Sequence, residues 1–251
     1  MNLSDAELER YARQMVLPRF GGAGQNKLKT ARIAVVGAGG IGSGAIPALA
    51  AAGVGRLTII DDDVVDTTNL QRQPIFRDDQ VGGEKAKLAA DFATAINPFV
   101  EATARNCRID AENARELLEN HDLVLDGSDN FATRLAVGDA CVGLGIPLVS
   151  AAAVQSQGQV GLFRGRPCFR CFVGDAFDSD ECDNCADLGV LGALTLTIGA
   201  FAALLAIRAI AGMGSDAGKL HLLDADALAW RAIGLPADPA CRTCGAAPRS
   251  G

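Results

Sequence analysis

Residues 32–44 read RIAVVGAGGIGSG, and this stretch decides the fold. After Arg32, residues 33–36 form a short apolar run that ends at glycine, the pattern of a buried strand. Gly37, Gly39 and Gly42 then follow in GxGxxG spacing, at the point where a helix should start. Bare backbone there lets phosphate approach the N–H groups and the positive end of the helix. The pattern says nucleotide, but it does not separate ATP from a nicotinamide dinucleotide. A packed glycine turn with no ligand is the plainer alternative.

Outward from this turn, strands are expected at residues 56–60, 100–104, 122–125 and 147–150, separated by helices at 41–52, 84–95 and 130–144. That alternation predicts an α/β fold with a doubly wound, mostly parallel sheet. Residues 1–251 read as a single domain: an N-terminal helical arm (1–30), a nucleotide-binding core (31–150) and a C-terminal part (151–251) with a crossover loop and further strands at 159–163 and 219–223. Ser4 and Glu7 have the spacing of a helix-starting capping box. The charged N-terminus is not a secretory signal, so a cytoplasmic location is expected. Residues 190–207 carry no charge for about the length of a minimal membrane span. Thr195, Thr197 and interspersed glycines favour a core or subunit-interface helix, and no membrane association is expected. A net charge of -7 with 5% aromatic residues gives no basic, stacking surface, so no nucleic-acid partner is expected.

Residues beyond the glycine turn narrow the nucleotide. Asp61 closes the second strand in LTIIDDD, where a carboxylate can accept from ribose hydroxyls. Arg72, in TNLQRQ, and Lys85, in GGEKAK, follow it and could meet the outer phosphates of a triphosphate. Asp129, in DLVLDGSDN, falls at the carboxyl edge of the sheet, where it suits a magnesium ion bridging phosphate oxygens. A dehydrogenase would need a proton-transfer residue near its nicotinamide, and Tyr11, His121 and His221 are not placed for one. Each charged residue alone would read as a solvated surface group; their order along the chain is what carries the site.

GAGGIGS, LTIIDDDVVDTTNLQRQ, GGEKAK and DGSDN, preceded by RYARQ and followed by later CxxC pairs, resemble the MoeB/ThiF/HesA group of ubiquitin-activating-enzyme-like adenylyltransferases over nearly the whole chain. The resemblance implies a homodimer that uses ATP and Mg2+ to adenylylate the C-terminal glycine of a ubiquitin-like sulfur-carrier protein ending in Gly-Gly. By match of motif, Asp61 holds the ribose, Asn69, Arg72 and Lys85 the phosphates, and Asp129 the metal. Gly37, Gly39, Gly40, Gly42 and Gln73 complete the nucleotide set. Arg13, in RYARQ, is the candidate for a contribution to the other subunit's site.

Six of the eight cysteines fall in CxxC pairs: Cys168/Cys171, Cys182/Cys185 and Cys241/Cys244. A tetrahedral zinc needs four thiolates, so one pair is surplus. PCFRC and CRTCG look like turns that present sulfurs, and the resemblance also pairs the first with the last, giving Zn2+ on Cys168, Cys171, Cys241 and Cys244. Cys185 matches the position where ThiF-like members carry a cysteine that in some joins covalently to the carrier. Cys185 is thus the candidate covalent nucleophile, but the acidic neighbours Asp178, Asp180, Glu181, Asp183 and Asp187 disfavour a thiolate, so a spectator or a redox pair with Cys182 stays open beside it. Ala193 stands where relatives usually have proline. The sequence past Cys244 leaves no room for an appended rhodanese-like domain, so a separate sulfur-donor protein is expected. The other readings are a tRNA-modifying adenylating dehydratase of the same fold, an NAD-dependent oxidoreductase, and a nucleotide-binding module without catalysis.

Overall fold

The structure is a computed structural model that describes residues 3–174, 189–214 and 216–245. Two helices, α1 (Asp5–Met15) and α2 (Gly21–Thr30), precede the alternating part. That part runs β1 (Arg32–Val36), α3 (Gly40–Ala52), β2 (Arg56–Ile60), α4 (Lys85–Ile96), β3 (Glu101–Arg105), α5 (Ala114–Leu118), β4 (Leu123–Asp126), α6 (Phe131–Leu144) and β5 (Leu148–Val154). After it come β6 (Gln157–Phe163), α7 (Phe169–Val173), α8 (Gly192–Ala211), β7 (Lys219–Asp224) and β8 (Ala229–Gly234).

All eight strands join one sheet in the order β3-β2-β1-β4-β5-β6-β7-β8. The ladders from β3 through β5 are parallel, and those from β5 through β8 are antiparallel. The expected parallel sheet is therefore present, extended by an antiparallel meander. From β1 the chain winds outward through β2 to β3, then returns to place β4 on the other side of β1. The crevice between the ends of β1 and β4 is therefore the topological switch point, where open α/β sheets place ligands.

Burial on both faces explains the apolar strands. Ile33 and Val35 of β1 enter a core shared with α3, α4 and α8, while Ala34 and Val36 pack on the opposite side with residues of α6. The apolar stretch expected as one helix becomes α8, long and apolar enough to cross a membrane by composition. It instead packs Leu194, Ile198, Ala202 and Leu205 into the core. Glycine brings it against α3: a Cβ at Gly44 would sit 2.4 Å from the Leu196 carbonyl oxygen, and one at Gly199 would sit 2.1 Å from that of Ile41. At such distances any side chain would force the helices apart.

The capping box forms, with Glu7 N–H donating to Ser4 Oγ and Ser4 N–H to Glu7 Oε2. α2 lies in the expected helical arm but carries only a weak helix signal, and β8 carries no strand signal. α2 has the glycine-rich sequence GGAGQNKLKT and a weak intrinsic tendency to helix. It is held by burial of Leu28 and by Gln25, whose Nε2 donates to Ala52 O at 3.0 Å. β8 is exposed along its whole length and so shows no alternation. Pairing with β7 defines it.

Candidate nucleotide site and cysteine centre

The glycine turn leaves β1 and enters α3 with Gly39 as the residue before the helix. Gly37 adopts φ +88°, and a Cβ on it would lie 3.1 Å from the Gly127 carbonyl and the Ser128 nitrogen. A Cβ on Gly42 would lie 2.4 Å from Gly37 O. Only glycine closes this turn while leaving the helix N-terminus bare, so the backbone has the shape of a phosphate cradle.

Asp61 leaves the end of β2 pointing into the turn. Its Oδ2 accepts from Ala38 N–H at 2.7 Å and its Oδ1 from Asp63 N–H at 2.9 Å. Burial pushes the carboxyl above its ordinary value, although both N–H groups and the Lys85 charge favour its ionised form. Each oxygen keeps a lone pair that could accept from a hydroxyl. Lys85, at the start of α4, is buried, and its Nζ donates to Asp63 Oδ2 at 2.9 Å.

The segment 69–73 passes between the glycine turn and the start of α8. A Cβ on Gly39 would be 3.6 Å from Gln73 Nε2, and one on Gly192 would be 3.2 Å from the Arg72 Cα. Asn69 closes a short 3-10 turn, its Oδ1 accepting from Asp66 N–H. Arg72 Nη1 donates to Thr68 O at 3.0 Å. Gln73 is buried, and its Oε1 has no hydrogen-bond partner. An orphaned acceptor beside the turn fits a polar ligand better than an empty, self-satisfied glycine corner. Gly40 faces Thr195 of α8, whose Oγ1 would be 2.9 Å from an added Cβ. Asp129 sits on the β4–α6 loop with its carboxylate exposed, next to the Ser128 nitrogen that Gly37 approaches. One exposed carboxylate at the sheet edge suits a magnesium ion that takes its other ligands from water and phosphate. The donor set and the bare turn therefore fit ATP and magnesium.

Arg13 lies apart from this group. Its neighbours in RYARQ turn inward: Tyr11 is buried and accepts from Asn97 Nδ2, and Gln14 Nε2 donates to Ala52 O at 2.8 Å. Gln14 is also hydrogen-bonded to Gln25. These contacts fix α1 at the C-terminal end of α3, about 18 Å of helix from the glycine turn. Arg13 itself is exposed on the last turn of α1.

Two buried charges beside the site, Asp126 and Arg134, carry no signal in the sequence. Asp126 is fully buried, and its Oδ1 accepts from both the N–H and the Oγ of Ser128, at 3.0 and 2.6 Å. Arg134 of α6 is 5% exposed and lies behind the same loop. Burial is what distinguishes these two charges, and nothing in one sequence marks an Asp or Arg as buried.

The cysteine centre lies on the other side of the sheet from α8. Cys168 precedes α7 and Cys171 lies within it, whereas Cys241 and Cys244 come from the segment after β8. The four sulfurs lie within 4.8 Å of one another, with Cys168–Cys171 at 3.9 Å, Cys168–Cys241 at 3.6 Å and Cys171–Cys244 at 3.3 Å. A tetrahedron with metal–sulfur bonds of ~2.3 Å has edges of about 3.8 Å. The donor set therefore fits zinc. Burial works against a charged Cys241 sulfur, but the Cys244 and Thr243 N–H groups and the neighbouring sulfurs outweigh it and bring that thiol down to about 7. Asp139 of α6 ties the two knuckles together, accepting from Arg170 Nη2 and Thr243 Oγ1, each at 2.7 Å. Cys182 and Cys185 lie outside the described residues.

Fold and site together define a nucleotide-binding α/β protein with its crevice at the β1/β4 switch point. The chain belongs to the ThiF family, whose model matches residues 11–243, as the motifs had implied. It is 41% identical to a sulfur carrier protein adenylyltransferase of Thermus thermophilus, over 99% of this chain and 94% of that one. It is 40% identical to the molybdopterin-synthase adenylyltransferase of Escherichia coli, over 97% and 98% of the two chains. Among solved structures, Escherichia coli MccB with ATP superposes with a TM-score of 0.84 at 23% identity, covering 96% of this chain and 75% of that one. At that identity the likeness concerns the fold.

Proposed function

We propose that the protein adenylylates the C-terminal glycine of a ubiquitin-like sulfur-carrier protein at the expense of ATP. Relatives named as adenylyltransferases for sulfur carriers or molybdopterin synthase match it end to end, which supports this chemistry over hydride transfer. The observation that carries the reading is the carboxyl-edge cradle: a glycine turn bare of side chains, with Asp61 on one side and Asp129 on the other.

The carrier carboxylate is ionised at neutral pH, so it can attack the α-phosphorus without a general base. One carboxylate oxygen bonds to phosphorus, the bond to the β-phosphate oxygen breaks, and pyrophosphate leaves from an acyl adenylate. The protein has only to align the groups and offset charge. Asp61 accepts from the ribose, Asn69, Arg72 and Lys85 hold the phosphates with Gln73 beside the turn as part of the nucleotide set, and Asp129 would hold Mg2+. When bound, that ion neutralises phosphate charge. Zn2+ on the four described cysteines is structural and clips the C-terminal segment to the domain. Arg13 sits at the wrong end of α3 to reach its own cradle, which supports a homodimer in which it serves the partner's. The carrier feeds molybdenum cofactor, thiamin or related sulfur-transfer synthesis, with sulfur from a separate donor protein.

The test is exchange of labelled pyrophosphate into ATP on addition of a carrier with a free Gly-Gly end. Carrier-dependent exchange is expected, and Asp129→Ala should abolish it while ATP binding partly survives. Exchange without need of a carrier, or none with any such carrier, overturns the proposal.

A further inference from the structure

We infer that Arg134 is a positioning residue that fixes the backbone carrying Asp129. This rests on the proposed role of Asp129 as the metal-holding carboxylate.

Arg134 is a buried cation whose guanidinium faces the β4–α6 loop, the end of β4 and the neighbouring β5. Nη1 donates to Ser128 O at 2.8 Å. Nη2 donates to Ser150 Oγ at 2.8 Å and Ala151 O at 3.1 Å, both on β5. Nε lies 3.8 Å from Asp126 Oδ2, an ion-pair distance without a hydrogen bond. The ring of Phe169 closes the site, 5.5 Å from the guanidinium carbon. The planar fork thus fastens the β4–α6 loop to the neighbouring strand, which a point charge on a flexible stem could not do.

The fastening is selective. Ser128 is held at both backbone groups, its N–H by Asp126 and its carbonyl by Arg134. Asn130 is held because its Oδ1 accepts from Thr133 N–H at 2.8 Å, capping α6. Asp129 lies between them, with its backbone flanked by two pinned residues and its carboxylate exposed. A fixed backbone under a solvent-facing carboxylate is the arrangement that preorganises a metal ligand, since only side-chain rotation remains to be lost on binding.

The experiment compares ATP affinity in EDTA with that in Mn2+, on the full chain, for wild type, Arg134→Lys and Asp129→Ala. Wild type should bind ATP more tightly with metal. Arg134→Lys keeps a cation beside Asp126 but loses the fork, and should lose about tenfold of the metal-linked gain, as outer-shell substitutions do. Its affinity in EDTA should stay within about twofold of wild type. Equal weakening in both conditions would mean a merely structural role and overturn the inference. Retention of the whole gain, while Asp129→Ala loses it, would also overturn it. If Asp129→Ala keeps the gain, the reading of Asp129 itself fails. Should Arg134→Lys not fold, Ser150→Ala removes one anchor without touching charge; a partial loss of the gain supports the inference, and no loss overturns it.

Discussion

Lys85 Nζ lies 2.9 Å from Asp63 Oδ2, and the two side chains differ sharply in setting: that of Lys85 is 5% exposed and that of Asp63 63%. The cation is thus built into the protein, while its carboxylate partner sits in water. An incoming phosphate can take over the lysine without either charge being left buried and unpaired. Lys85→Met should therefore fold, because its stem already packs in the core. Carrier-dependent exchange should fall by at least about 100-fold, the scale of losing one charge-stabilising group at a reacting phosphate. Asp63→Ala should leave ATP affinity intact. Isotope exchange and calorimetry with ATP check both.

The position of Arg13 predicts complementation. Arg13→Ala and Asp129→Ala proteins should each be nearly inactive, and mixing them under conditions of subunit exchange should restore part of the activity. Pairing of two different mutants rebuilds one intact site per dimer. The exchange assay on mixed and unmixed samples is the measurement, with mass spectrometry to verify that mixed dimers form.

The cysteine centre predicts one zinc per chain by elemental analysis. Cys244→Ala should lose it and melt at a clearly lower temperature, because the segment after β8 would no longer be clipped to α7. The gain from structural zinc in small modules is on the order of 10 kcal/mol, so the loss should be plain. A metal-free, equally stable wild type would overturn the assignment.

Glu7 predicts the acid limb of stability. Burial by itself would push its carboxyl up, but Lys29 Nζ at 2.7 Å and the Ser4 hydrogen bonds outweigh this and hold it below the ordinary value. A depressed folded value means stability that is present above the unfolded value of about 4.3 and lost as pH falls through the folded one. Glu7→Gln should lower the melting temperature at neutral pH and flatten its decline below about pH 4.3. Melting curves from pH 7 downward are the check.

The parallel half of the fold was legible because it follows local rules. Strands β1 and β2 are short, mostly apolar runs closed by turn residues, and the helix between them is marked by the glycine turn at its start and the glycine at its end. β5 runs to Val154, past its expected end at residue 150, because β6 pairs with it out to Gln157. No local pattern encodes such an extension. β8 has no strand pattern for the same reason, and α2 only a weak helical one: partners distant in sequence hold them.

The site divides similarly. By itself the sequence determined the glycine turn, the carboxylate that closes β2 and the candidate cysteine pairs, because these depend on residue type and short spacing. Tertiary structure decided which groups are buried and whom they meet: Arg134 under Ser128, Lys85 beside Asp63, Arg13 at the far end of α3, and Cys168 within 3.6 Å of Cys241. Burial is what turns an ordinary charge into a clamp or a ligand. It is a property of the whole packed chain and not of any stretch of it.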